Sequence, residues 1–242
     1  MDNDSERLTS RYEEYILVSL LVSLIKWPVA LAVAILTPAA AISFWDLARS
    51  AWEASYWKSP FALGFGGMLV FMVLFHRTRF VQFWSTLEHE FTHALFAWLT
   101  FVPVYDLWTS DGSGASSERP AVGVVRLGGG NWLISTAPYF FPTASAIVLG
   151  ATLVLAKEPT MAASVLLGVA TAGCLVSTWH ETHAGQTDLK TSGMLFSLVF
   201  LPGANVLCYG SLLAYELGGP SGAWSYIASA PETTIAWIRS VT

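Results

Sequence analysis

Leu87-Glu88-His89-Glu90-Phe91-Thr92-His93-Ala94 sits in the middle of an apolar run from about 80 to 102. A run of that length, near the twenty residues that cross a hydrocarbon core of about 30 Å, predicts a membrane-spanning helix. In a helix His89 and His93 stand one turn apart on one face, so both imidazoles can bind a single metal ion. Glu90 follows the first of them, placed to work on a water held by that ion. The pattern matches what zinc hydrolysis needs: the metal makes water acidic near pH 7, and a carboxylate takes its proton as a carbonyl is attacked. The same carboxylate can then deliver the proton to a leaving amine.

Depth sharpens this reading. An ionisable side chain at the centre of a membrane helix costs about 2.5 to 3.5 kcal/mol on insertion scales. Glu88, His89, Glu90 and His93 fall within about two turns, a density that packing does not require. Glu88 is read as an orienting or helix-to-helix polar contact rather than a catalytic group.

Outward from this run, the chain keeps the character of a membrane protein. Of its 242 residues 54% are hydrophobic and 12% charged, against about a quarter charged in soluble domains. Apolar runs at 15–44, 60–76, 80–102, 132–156, 161–178 and 192–217 predict an all-α polytopic membrane protein of about six transmembrane helices. The first is interrupted by Lys26-Trp27-Pro28, where the lysine is expected to snorkel. It is too long for a signal-peptide core of about 7 to 15 residues and is read as a retained span. Trp45, Trp57, Tyr105, Trp108 and Trp179 stand at the ends of runs, where an aromatic belt falls. The net charge of -5, with no basic run, gives no footprint for nucleic acid. Cys174 and Cys208 lie in apolar segments and are read as core residues.

The whole of 1–242 reads as one domain: a polar tail at 1–14, a core at 80–217 and an interfacial segment at 218–242. The stretch 110–117 is a Gly/Ser-rich loop by composition. Ala121-Val122-Gly123-Val124-Val125-Arg126-Leu127, ended by Gly128-Gly129-Gly130-Asn131, is β-prone and predicts a short strand or hairpin at the membrane surface. Pro138, Pro142 and Pro202 are expected to kink their helices.

Two histidines leave a catalytic zinc short of a third protein ligand. The other dense polar cluster between apolar runs is His180-Glu181-Thr182-His183-Ala184-Gly185-Gln186-Thr187-Asp188. The helix with His93 ends near 102 and the next two spans cross and return, so this cluster comes back to the same side. Asp188, at the head of a helix, is the preferred third ligand, with His180, His183 and Glu181 as alternatives.

With these features the chain resembles the site-2 protease family of intramembrane zinc metalloproteases. The resemblance rests on His89 to His93, the glycine-ended β-prone segment, and Asp188 two spans later, together covering about 80–217. It implies that His89, His93 and Asp188 bind zinc, that Glu90 is the general base, and that transmembrane helices of membrane-protein substrates are cut after unwinding. The family's aspartate lies in Leu-Asp-Gly or Asn-Pro-Asp-Gly, whereas here the context is Gln186-Thr187-Asp188-Leu189. No stretch accommodates a PDZ module, so the resemblance is to a compact form.

An unwound substrate needs a strand to lie on. Val122 and Val124 are expected to pair with it, and Gly128, Gly129 and Gly130 to admit its backbone closely; a plain surface hairpin is the alternative. Asn131 is grouped with these as a donor to the oxyanion or to a strained helix, and Asn205 as glue between helices. A zinc-binding scaffold without activity is a competing reading, but it leaves Glu90 without a role. A proton or metal transporter is another, but it predicts ionisable groups along several spans, and the later spans lack them. A multi-pass protein of the bacterial inner membrane, with the lipid bilayer and a membrane-protein substrate as its partners, is the resulting expectation.

Overall fold

The structure is a computed structural model that describes residues 16–109, 123–155 and 160–241. The tail 1–14, the Gly/Ser-rich stretch 110–117, Val122 and the connection 157–159 lie outside the described residues. Helix dominates: α1 (Lys26–Glu53), α2 (Pro60–Phe75) and α3 (Arg79–Leu99) come first. Strands β1 (Val104–Thr109) and β2 (Gly123–Leu127) follow. Then come α4 (Trp132–Thr136), α5 (Thr143–Leu155), α6 (Met161–Glu181), α7 (Thr187–Ser192) and α8 (Met194–Val241). Residues 16–24 are also helical and lead through Ile25 into α1.

The helix starts are written in the sequence. The Ser59 hydroxyl accepts from the Ala62 amide at 3.1 Å, with Pro60 in the first turn. Thr78 and Thr160 do the same for α3 and α6, accepting from Val81 at 3.4 Å and Ala163 at 3.1 Å. Each such cap is worth about 1 kcal/mol.

Three helices are long and apolar enough to cross a membrane: Lys26–Glu53, Met161–Glu181 and Met194–Ala236. The number rises to five if each of two bent pairs counts as one span, where the sequence suggests about six. The first pair joins α2 to α3 through a 117° bend, and the second bends by 86° between Trp132–Tyr139 and Thr143–Leu155. Proline explains the second bend. The apolar run 132–156 breaks at a 3-10 turn, Ala137–Tyr139, that contains Pro138, and Pro142 precedes α5. Pro202 lies inside α8, which departs from helical dihedrals at Gly219, with φ 65°.

At Gly219 the chain reverses. The Tyr226 hydroxyl donates to the Val206 carbonyl at 3.0 Å and to the Ala40 carbonyl at 3.1 Å, whereas twenty residues of straight helix would hold Tyr226 and Val206 roughly 30 Å apart. The final segment therefore folds back along α1 and the first part of α8, with Tyr226, Ala230 and Thr234 buried. The segment read from sequence as 218–242 is thus a helix packed against the rest of the protein.

The remaining partners sort into layers: α1 packs on α8, α2 on α6, α5 on α6, and α3 meets α6 and both strands. In lipid, helices associate through close backbone approach rather than hydrophobic force, and α2 and α6 show it. A Cβ on Gly64 would strike the Val165 carbonyl, and one on Gly168 the Phe61 carbonyl. Leu31, Ile35, Leu63, Val70, Leu153 and Leu198 point outward, the arrangement a lipid solvent requires. An aromatic cluster of Trp132, Phe140, Phe196 and Phe200, with ring centroids 5.0 to 5.4 Å apart, fills the core.

Gly168→Ala is expected to destabilise the α2–α6 pair by about 1 to 3 kcal/mol, the usual cost of overpacking. Gly150→Ala, where an added methyl meets nothing within 4 Å, should leave stability unchanged or slightly higher. Unfolding in mixed detergent micelles measures both.

Candidate metal centre

Helix α3 presents two polar faces. Thr86, His89, Glu90 and His93, at i, i+3, i+4 and i+7, line one cavity. Ser85, Glu88 and Thr92 point instead into the seam with α5 and α6. There the Ser177 hydroxyl donates to Glu88 Oε2 at 3.2 Å, and the Thr92 and Thr143 hydroxyls lie 2.6 Å apart. Glu88 is thus the helix-to-helix contact it was expected to be, only 6% exposed.

Both histidines are buried, at 7% and 6% exposure. His93 Nδ1 lies 2.9 Å from the Ile134 carbonyl, an acceptor that places a proton on Nδ1 and turns Nε2 toward Asp188. Ile134 is held in turn by Asn131, whose side chain caps α4 by accepting the Ile134 amide at 3.0 Å. The Asn131 amide group donates to Thr100 at 3.3 Å. Asn131 is therefore spent on the scaffold of His93, and the structure sets it outside the cavity lining.

Asp188 stands in the first turn of α7, with Oδ2 3.3 Å from His93 Nε2 and 3.7 Å from His89 Nε2. Burial acts to raise its pKa, but hydrogen bonding and charge from His89 and His93 outweigh it and hold the carboxyl well below the usual carboxylate range. Tyr139, fully buried, donates its hydroxyl to Oδ2 at 3.3 Å and packs its ring edge-on to His89. Asn205 fixes Tyr139 from behind, donating to its carbonyl at 2.8 Å and to the Leu201 carbonyl at 2.9 Å. This is the interhelical glue expected of it.

The fit to a metal can be judged from these distances. Atoms held about 2.0 to 2.2 Å from a tetrahedral ion stand roughly 3.3 to 3.6 Å apart. One ligand atom from each of His89, His93 and Asp188 lies within 4.8 Å of the others, and the two measured separations bracket that geometry. Two imidazoles and a carboxylate are a donor set that zinc accepts, with a fourth position open toward the cavity. Among the described residues this is the only such group.

The alternatives lie elsewhere. His180 is exposed, its ring stacked on His76 at 6.3 Å, and His183 is exposed, its Nδ1 accepting the Gly185 amide at 3.1 Å. Glu181 does line the cavity, where Gln186 donates to it at 2.8 Å.

Strand β2 covers the site. It pairs antiparallel with β1, Val125 opposite Leu107 and Gly123 opposite Thr109. The Val125 amide lies toward the Glu90 carboxylate, so the edge of β2 away from β1 faces the cavity. Gly123 makes the approach possible: a Cβ there would collide with the Thr86 methyl and stand 3.0 Å from Glu90 Cγ. The cavity, about 440 Å³, is lined by Gly123, Val124, Val125, Gly129 and Gly130 on this side. Gly128 packs instead under Tyr105. Sequence reading missed Tyr139 and the Ile134 carbonyl, because nothing in residue type marks a buried tyrosine or a backbone oxygen as a ligand's partner.

No protein-family model, curated protein or solved structure matches this chain.

If the three side chains hold one ion, the purified protein should carry about one zinc per chain. Asp188→Ala and His93→Ala should each lower the affinity at least tenfold, while His180→Ala and His183→Ala leave it unchanged. Equilibrium dialysis with elemental analysis reads both.

Proposed function

We propose that this protein is an intramembrane zinc endopeptidase, similar to the site-2 proteases, that cuts transmembrane segments of membrane-protein substrates. The observation that carries the reading is that Glu90, which has no part in the His89, His93 and Asp188 group, opens into the same cavity beneath the edge of β2 that no other strand pairs with among the described residues. A scaffold or a structural metal site has no use for a carboxylate at that position.

Bound zinc would supply an acidic water and a polarised carbonyl. The chain's own groups account for the rest. Glu90 takes the proton of the attacking water and returns it to the amine of the departing segment. Tyr139 and the Ile134 carbonyl hold Asp188 and His93 in place, so that little reorganisation is needed during the reaction. A helical substrate hides its peptide bonds in its own hydrogen bonds, and must be drawn out before Glu90 can serve one. The free edge of β2, with Val124 and Val125 at the cavity and Gly129 and Gly130 at its end, gives an extended peptide backbone partners in exchange for those it loses.

The same proposal sets the topology. A 117° bend turns the chain back on itself, so α2 and α3 are taken as separate crossings. With α1, α5, α6 and the limb of α8 before Gly219 these make the six of the sequence reading, α2 being short and suited to a locally thinned bilayer. The paired strands then lie at the membrane surface, and a bacterial inner membrane with the site toward the cytoplasm is the proposed setting.

The decisive comparison is native protein against Glu90→Gln on a panel of single-span substrates in detergent. The variant should keep its zinc and lose cleavage by about 10² to 10⁴-fold, the range for a general base. Zinc retained in both with no cleavage by either would favour a non-proteolytic scaffold, and no zinc in either would remove the basis of the proposal.

A further inference from the structure

Helix α7 has six residues and carries Asp188, and a helix that short is not stable on its own. Its hold on the rest of the molecule therefore decides where the Asp188 carboxylate stands. Leu189 is buried in the aromatic core, and Tyr139 reaches Asp188 itself. The far end is held by a cation. Lys26 Nζ, on α1, donates to the carbonyl of Ser192 at 2.6 Å and lies 4.8 Å from the centroid of the Phe196 ring.

The sequence expectation for Lys26 is a snorkelling side chain; in the structure it is half-buried and its ammonium reaches Ser192 and the Phe196 ring. Among the described residues no carboxylate lies within ion-pair distance of it. Its charge is met by the C-terminal carbonyl of α7, the negative end of that helix, and by the face of an aromatic ring. A charge kept in such a place without a counter-ion is costly unless it does something specific.

A second tie runs in parallel. Just before α1, the Val22 carbonyl accepts a hydrogen bond from the indole Nε1 of Trp132, the first residue of α4. α4 is the helix that supplies the Ile134 carbonyl to His93. The N-terminal helical stretch thus grips both short helices behind the three ligand side chains, one through Lys26 and one through Val22. Neither Lys26 nor Val22 lines the cavity.

We infer that Lys26 is a positioning residue for the metal centre: its ammonium pins the C-terminal end of α7 and so fixes Asp188 against His89 and His93. This rests on the metal reading above. The geometry also says why a lysine serves. A four-carbon stem reaches from α1 across Phe196 to Ser192, and three ammonium donors can meet a carbonyl without a preset angle.

The test uses Co(II) as probe in the full-length protein, because its visible ligand-field spectrum reports the coordination geometry independently of activity. Lys26→Met keeps the stem and removes the charge. It should shift the d–d bands and weaken Co(II) binding on the order of tenfold, the lower end for partners that orient ligands. Lys26→Arg should restore the native spectrum, and Ala40→Gly, which loosens α1 away from α7, should not change it. If Lys26→Met does not accumulate folded, Lys26→Gln, a shorter neutral donor, takes its place with the same expectation. A native spectrum and affinity in the neutral variants overturns the positioning role while leaving the metal site standing. Equal shifts in the neutral variants and Ala40→Gly overturn it as well, assigning the effect to α1 as a whole. Absence of Co(II) and Zn(II) binding in the native protein overturns the metal reading itself.

Discussion

The meeting of Asp188 with His89 and His93 is the contact on which this structure turns, because its two sides come from helices far apart in the chain. α3 brings the histidines as one face of a regular helix, which costs the fold nothing beyond forming the helix. The aspartate arrives on α7, after two further apolar runs. Everything between serves the meeting: the broken segment around Pro138 places Tyr139 under the carboxylate, Asn205 holds Tyr139, and Asn131 shapes the turn whose carbonyl takes the His93 proton.

Lipid as solvent explains why most of these polar groups are drawn into hydrogen bonds between helices. An unsatisfied polar atom in hydrocarbon costs several kcal/mol, and α3 carries polar residues on two faces. The seam face spends them on other helices, with Ser85 donating to Ser177 at 3.1 Å and Ser177 to Glu88. The cavity face leaves Glu90 open and turns the Nε2 atoms of His89 and His93 toward Asp188. The division follows helical geometry: residues 85, 88 and 92 point one way, while 86, 89, 90 and 93 point another. One helix therefore supplies both the packing that keeps it in place and the groups that face the cavity.

Much of this was legible in advance because it depends on short-range periodicity. The i, i+4 histidines, the Glu90 between them and the apolar runs are all read from neighbours in sequence. Asp188 was reachable by counting crossings, since two spans return a chain to the side it left. What stayed hidden depends on contacts that sequence order does not encode. The reversal at Gly219 looked like a tail, as no local signal tells a helical hairpin from an interfacial segment. Asn131 looked like a donor to substrate, but its place before an apolar turn makes it a cap. Lys26 looked like an interfacial lysine because its acceptor, the Ser192 carbonyl, belongs to a helix end that only the fold brings near.

The two kinds of ligand are held with unequal stiffness, and this has a consequence for the site. His89 and His93 ride on a 21-residue helix packed against α6 and both strands, so their separation is set by the helix itself. Asp188 rides on six residues fastened at three points, and is the member that can move without unfolding anything. Changes around α7 should thus alter the third ligand while the paired histidines persist. Gly123 imposes the complementary constraint on the opposite wall, since only a residue without Cβ lets β2 lie directly on Thr86 and Glu90. One wall of the cavity is set where α3 and β2 meet and the other where α7 closes it, so the precision of the centre depends on how α7 is held.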